Sequence, residues 1–397
     1  MLLSILKRSV SPKTSTTLKV LIPKPSMLKK LTNVFAKKSD CVGIEINPHK
    51  INVAQITKKG ERYKLNKYVS ANIPEGVYEE GIIVDTLALS ELIKDTLKTN
   101  KISAKKVATA VPMREAIVRV ISVPAELNEE ELRSMILVHE AGMHLPYPTE
   151  EVDLDYAKLG YFMDEDGIEK VNVLLVATRK ETTDLYLEVF QQAELEMEVL
   201  DINSFALIRT IREQLRAFGA KEAVILVDLE FDNTEIAIVV EGVPQFSRTV
   251  PIGTSHMRAK LSQAMNLPTI GGTEILNSID VGNRTEDSDE PESSQMEVGQ
   301  AALIKVLSEL SEELSRSINF YINQSEDLEI SQLLLAGPGA GIAQIDEFFT
   351  HKLNLPVTKI DPVAALGLDL TQNIADERRP ELGTVLGLGI REAGSQS

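Results

Sequence analysis

Two stretches of the chain place a carboxylate where an apolar strand gives way to a tight turn. VGIEINPHKINVAQI, residues 42–56, runs into Glu45, turns at Asn47 and Pro48, and resumes as an alternating strand. VILVDLEFDNTEIAIVV, residues 224–240, does the same at Asp228. Such a layout suits phosphate chemistry, because backbone N–H groups at a turn can nest an anion and a carboxylate can hold Mg2+. A third candidate is the Gly-rich turn of LLLAGPGAG, with Gly337, Gly339 and Gly341.

Other chemistries fit less well. His139, Glu140 and His144 read HEAGMH, one residue too long for the HExxH zinc helix, and imidazoles five apart sit about 140° around a helix. The chain has no GxxxxGK[ST] loop and no GxSxG elbow. GPGAGI carries Ile342 where a dinucleotide loop needs its last glycine.

Strands must hold the two carboxylates, and the pattern supplies them. Three strands are expected from residue 41 to 74, followed by the helix TLALSELIKDTLKTN, whose Leu87, Leu89, Leu92, Ile93 and Leu97 keep a helical period. KVATAVP and EAIVRVISVP read as a strand pair around Pro112–Glu115. Asn128 with Glu131 forms a capping box for EEELRSMILVHEAG, which Gly142 and the run Leu145, Pro146, Tyr147 and Pro148 should stop. Two more strands follow, the second apolar enough to be central, and then helices from residue 182. Leu303, Leu307, Leu310, Leu314, Ile318 and Tyr321 mark the face of a long helix expected to pack inside its own domain.

Glu45 and Asp228 lie 183 residues apart, and at that offset the hairpins run in step: Val53 aligns with Ile236 and Gln55 with Ile238. A duplicated domain facing itself across a cleft is the expected architecture.

The 397 residues are 43% hydrophobic and 25% charged, ordinary for a globular protein of two or three domains. A formal net charge of −17 argues against nucleic acid as a partner. The charge is uneven: residues 1–40 carry nine Lys or Arg against Asp40, leaving −25 on the rest. This arm is expected to be disordered, with a membrane surface as the alternative. Residues 282–297, acidic and Ser-rich, are expected to be a solvated loop. With a single cysteine, Cys41, and no apolar run near the roughly 20 residues of a membrane helix, a cytoplasmic protein is expected.

The paired hairpins, the LLLAGPGAG turn and the closing GLGIR resemble the actin, Hsp70 and sugar-kinase superfamily. Within it, VGIEI, EAGMHLPYPTEEVDLDYAKLG, ELSRSINFY and LGLGIR resemble the type IV pilus assembly PilM family, relatives of the FtsA cell-division proteins. The resemblance implies an α/β, actin-like, duplicated mixed-sheet fold with an inserted small α+β subdomain. It divides the chain into an arm (1–40), core domain 1 (41–80 and 181–222), an insert (81–180), core domain 2 (223–250 and 331–378), a second small subdomain (251–330) and a C-terminal helix returning to core domain 1 (379–397).

The same resemblance implies ATP and Mg2+ between the hairpins, with Glu45 and Asp228 toward the metal and Gly337, Gly339 and Gly341 toward adenosine. Asn47, His49, Lys50, Asn233 and Thr234 would meet phosphate. Pro48, which has no N–H, and Glu230, which stands at a glycine position, weaken that site. Two lost charge-assisted bonds, at roughly 1.5–3 kcal/mol each, would cost about 100-fold in affinity or more. The expected function is therefore a non-catalytic adaptor at the inner face of the inner membrane. It would bind the cytoplasmic N-terminal peptide of PilN, with Leu145–Pro148 forming part of a groove wall, and link other pilus membrane or motor proteins. The alternatives are an ATP-switched protein and an FtsA-like filament.

Overall fold

The computed structural model describes residues 41–391 apart from 61, 80, 268–273, 283–294 and 325–327. The basic arm and most of the acidic stretch 282–297 therefore lie outside the described residues.

The chain begins as a meander, β1 (Cys41–Ile46), β2 (Lys50–Lys59) and β3 (Arg62–Asn72), followed by a short ribbon of β4 (Tyr78–Glu79) and β5 (Ile82–Ile83). Helix α1 (Thr86–Thr99) starts where the Asp85 side chain accepts the Ala88 N–H, and β6 (Lys106–Val111) follows. An excursion then runs through β7 (Ala116–Pro124), α2 (Glu129–Ser134), a π-turn, α3 (Ala141–His144), β8 (Val152–Met163) and β9 (Glu169–Arg179). The chain re-enters the first sheet by α4 (Lys180–Gln192) and β10 (Glu196–Ile202), and crosses by α5 (Asn203–Thr210) and α6 (Arg212–Leu215). A second meander comprises β11 (Glu222–Leu229), β12 (Thr234–Val240) and β13 (Val243–Val250). After it come α7 (Thr254–Ala264), α8 (Glu274–Asn277), α9 (Gln295–Ile322), β14 (Glu329–Ala336), α10 (Ile345–Leu353), β15 (Val357–Lys359), α11 (Pro362–Ala365), β16 (Asp369–Leu370) and α12 (Gly383–Gly389).

The sheets repeat each other. The first has the order β10-β6-β1-β2-β3-β16 and the second β13-β12-β11-β14-β15, so each meander meets its parallel strands in the same sequence. The register repeats too: Glu45 lies opposite Asn52, and Asp228 opposite Glu235. The offset of 183 seen in the sequence is thus a real structural repeat.

Four expectations change. β6 and β7 do not pair: β6 lies beside β1, whereas β7 belongs to a separate sheet of order β7-β9-β8. The insert consequently starts after β6, near residue 113, and not at 81; α1 packs its Leu89, Ile93 and Leu97 into the first core. Residues 251–330 do not form a core of their own, because Leu303, Leu307, Leu310 and Leu314 of α9 share one buried cluster with β11, β12 and β14. Each such leucine contributes about 1.5–3 kcal/mol on burial. Finally, β16 already rejoins the first sheet at Asp369, ten residues before the expected return.

The insert's helix carries the expected capping box at Asn128 and Glu131. It passes Gly142 and ends at His144, immediately before the expected stop at Leu145–Pro148. β9 is central, as expected.

The lobes meet through α5 and α12. Leu207 and Ile208 of α5 pack on the second sheet with Val224, Leu226 and Leu334, while Phe205 joins the first core. Helix α12 lies across β1 so closely that a Cβ at Gly43 would strike the Gly389 backbone, and one at Gly387 would strike the Ala206 carbonyl. Asp201, with no side-chain exposure, clasps the arrangement: Arg209 donates to it at 2.6 Å and to the Gly387 carbonyl at 3.0 Å, and Arg391 donates to the same carboxylate. Overfilling this backbone contact leaves no side chain to yield, so Gly387→Ala is expected to lower stability by about 1–3 kcal/mol in urea unfolding.

Candidate functional site

Equivalent registers bring both hairpin turns to the same cleft, and there the side chains close on one another. The His49 ring of the first turn stands edge-on to the Phe231 ring of the second, at 72° between planes. The Arg258 guanidinium of α7 covers that Phe231 ring at 4.6 Å. Lys50 reaches Glu381 at 2.9 Å, and Arg378 holds the same carboxylate at 2.7 Å.

The expected phosphate donors are largely engaged. Asn47 accepts the N–H groups of His49 and Lys50 through its own Oδ1, at 3.3 and 3.0 Å, and donates its N–H to the Lys50 carbonyl at 3.1 Å. In the second turn the Glu230 N–H donates to the Asn233 carbonyl at 3.0 Å, and the Thr234 hydroxyl to the Ile252 carbonyl at 2.6 Å. The first residues of α7 dock here as well, Ser255 donating its N–H to the Phe231 carbonyl at 2.8 Å. Asn233 is buried, with its Oδ1 unpartnered. Gly337, at φ +81, passes so near Asp228 that a Cβ would lie 2.5 Å from the carboxylate, and its N–H donates to the Pro380 carbonyl at 3.0 Å. Gly339 abuts Leu229, and Gly341 abuts the Glu377 carbonyl. These glycines are required by close packing of the turn itself.

Four carboxylates from the two lobes share this dry interior. Glu45 accepts a bond from Asn52 at 2.9 Å, yet burial, reinforced by the charge of Glu230, raises its pKa to about 8. Burial likewise lifts Glu230 and Glu235 to about 7, and it pushes Asp228 well above the usual carboxylate range, helped by Glu230, Glu235 and Glu45. Glu235 reaches across the lobes to accept the Met113 N–H at 2.9 Å; its other oxygen is unpartnered. His49 moves the opposite way, to about 4, because burial and then the charges of Arg258 and Lys50 disfavour its cation. It is a neutral ring at neutral pH. Among the described residues no three His, Cys, Asp or Glu side chains converge to hold a metal ion.

The sequence reading singled out Glu45, Asn47, His49, Lys50, Asp228, Asn233, Thr234 and the three glycines, and the fold brings them to one place. It missed Phe231, Glu235, Arg258 and Glu381. Of these Glu235 was accessible, since it occupies the repeat position of Asn52, but nothing local marks Arg258 or Glu381.

A second concavity lies between the insert and the lobes, about 640 Å³ including space open to solvent. Ala157 and Leu159 of β8 and Leu174 of β9 form one wall, with Ile208, Leu215 and the turn Glu241–Val243 opposite. Arg212 and Arg216 stand at its rim. The opposite face of the same sheet packs Val171, Val173 and Leu175 on the insert's helix. The run Leu145–Pro148 lies outside this lining. Leu145 packs in the insert's own core, and Pro146, Tyr147 and Pro148 are exposed on its surface.

Carboxylates with raised folded pKa values bind protons that the unfolded chain has released, so stability is fullest below about pH 4.5 and is lost as pH rises through about 7–8. The melting temperature is expected to fall between pH 5.5 and pH 8.5, and Glu45→Gln to flatten that fall; an unchanged slope in the variant would remove Glu45 from the effect.

The comparisons agree with this architecture. A solved PilM-PilN type IV pilus biogenesis complex superposes with a TM-score of 0.74 at 24% identity, covering 89% of this chain and 98% of that one. The ethanolamine utilization protein EutJ from Carboxydothermus hydrogenoformans superposes with a TM-score of 0.52 at 14% identity, covering 88% of each chain. The fold is thus the actin-like α/β fold. The family model of the type IV pilus assembly protein PilM matches residues 43–393, nearly the whole described chain, and the chain belongs to that family.

Proposed function

We propose that this protein is a non-catalytic adaptor at the cytoplasmic face of a type IV pilus machine, holding the N-terminal peptide of PilN and linking the membrane alignment complex to the assembly motors. The groove between insert and lobes carries the reading. It is apolar along its floor, and β8, which forms one wall, is an edge strand. An extended segment lying there can add main-chain bonds to that edge while Ala157, Leu159 and Val243 receive its side chains. Arg212 and Arg216 at the rim favour a segment with an acceptor or a carboxylate at one end. The solved complex of similar fold pairs a PilM with a PilN, which supports the choice of partner. Among the described residues no helix is long and apolar enough to cross a membrane, so attachment through such a partner suits this chain.

The cleft residues do not fit a magnesium triphosphate. The first turn spends its N–H groups on Asn47 and offers none at Pro48, His49 brings no charge, and three buried carboxylates, Glu45, Asp228 and Glu235, with the half-buried Glu230 leave no donors for the phosphates. The second reading, an ATP-switched protein of the same fold, draws on the unpartnered oxygen of Asn233, an acceptor that would suit a nucleotide's magnesium and not its phosphates.

Two measurements test these readings. A synthetic PilN N-terminal peptide is expected to bind the full chain. Ala157→Trp, which fills the groove, should weaken it at least tenfold; equal binding would move the site elsewhere. Calorimetric titration with Mg·ATP is expected to give no heat at micromolar concentrations, and micromolar binding with hydrolysis would replace the adaptor reading by the switch.

A further inference from the structure

The insert hangs from the first lobe by two crossings that lie side by side. The chain enters it through Pro112 and a single 3-10 turn, Met113–Glu115, and leaves it at Arg179, with Ala116 opposite Thr178. Glu115 ties the crossings into one root. Its carbonyl accepts the Thr178 hydroxyl at 2.8 Å, and its carboxylate accepts the Thr182 hydroxyl at 3.2 Å and stands 3.6 Å from the Arg179 guanidinium. A root this narrow leaves the insert's sheet free to pivot. β13 of the second lobe runs beside the root and β7, yet among the described residues no ladder joins β7 to β13.

A side chain spans the two. Glu235, itself 5% exposed, accepts the N–H of the buried Met113 at 2.9 Å. Its repeat counterpart Asn52 donates to Glu45 at 2.9 Å inside its own hairpin, whereas Glu235, opposite Asp228, makes its bond outside the hairpin, at the insert's root. Glu235 lies at the start of β12, which is held between β11 and β13 and runs on for about 20 Å to the turn Glu241–Val243. That turn is the groove wall facing Ala157 and Leu159. One stiff strand therefore carries both the clasp on the insert's root and the wall that the insert's sheet must face.

We propose that Glu235 is a positioning residue for the groove: by holding the Met113 N–H it fixes the insert's angle against the second lobe, and with it the width at which the groove receives an extended peptide. This rests on the groove being the peptide site. Without the clasp the Met113 N–H is left buried and unpaired unless the root moves toward another acceptor or water. The insert then samples angles at which the groove walls no longer match one strand, and peptide affinity falls with the fraction of molecules that keep the right width.

Three substitutions separate reach from charge. Glu235→Gln keeps an acceptor at the same reach and should bind a synthetic PilN N-terminal peptide as the unmodified chain does. Glu235→Ala removes the acceptor, and Glu235→Asp withdraws it by one methylene while keeping the acid; each should lose about tenfold in affinity. Spin labels at Glu165→Cys, on the β8–β9 turn far from the root, and at Gln245→Cys, on β13, both exposed, read the insert's angle without peptide in a Cys41→Ala background. The distance distribution should be narrow in the otherwise unmodified chain and with Glu235→Gln, and broad with Glu235→Ala and Glu235→Asp. Affinities that follow charge, with Glu235→Asp binding normally and Glu235→Gln as weak as Glu235→Ala, would overturn the proposal, as would identical distance distributions in all the variants. If the unmodified chain binds no peptide, the groove reading falls, and the distances alone decide whether Glu235 sets the insert's angle.

Discussion

Everything in this molecule hangs on how near α12 can come to β1 and α5. Two lobes with separate cores need a seam that fixes their relative angle, and here the seam is backbone against backbone. Glycines at 43, 387 and 389 remove the side chains that would hold the layers apart. Asp201 then fastens two arginines, one from α5 and one following α12, in a nearly dry site. Such a buried cluster is costly to assemble and more costly to break, since removing the carboxylate would strand two guanidinium groups. It therefore specifies one lobe arrangement more than it adds stability.

From that arrangement the cleft follows. With the lobes set, the turns of β1–β2 and β11–β12 meet, and the side chains they carry pack on each other. Where a nucleotide-binding relative would need open N–H groups and space, this chain has an Asn cap, a neutral imidazole, an aromatic ring and protonatable acids. The same geometry leaves the insert's sheet standing over α5 and α6, creating the apolar groove beside an edge strand. In our reading the repeat supplies the frame, and the insert supplies the binding surface.

Much of this was legible in the linear chain. The period-2 strands, the α9 stripe, the Asn128 capping box and the 183-residue offset all encode local geometry, and each reappears in the fold. Less legible was anything depending on which strand meets which. KVATAVP and EAIVRVISVP look like a hairpin because they are adjacent and both apolar, yet one completes the first sheet and the other opens the insert. Similarly, Gly142 looks like a helix stop, but packing of Ile136 and Ala141 into the insert's core carries the helix past it.

The sequence by itself determined the elements and the duplication, because periodicity and turn chemistry act over short spans, and its motifs in their order carried the resemblance to the actin-like PilM family. Tertiary structure decided what the candidate residues do. Asn47 could have offered its turn to phosphate, and the fold has it cap that turn. His49 and Phe231 are 182 positions apart in the chain and become neighbours when the lobes close. Burial, which no single residue encodes, is what pushes Glu45 and its three fellow acids upward and His49 downward, turning a set of charged groups into a largely neutral seam.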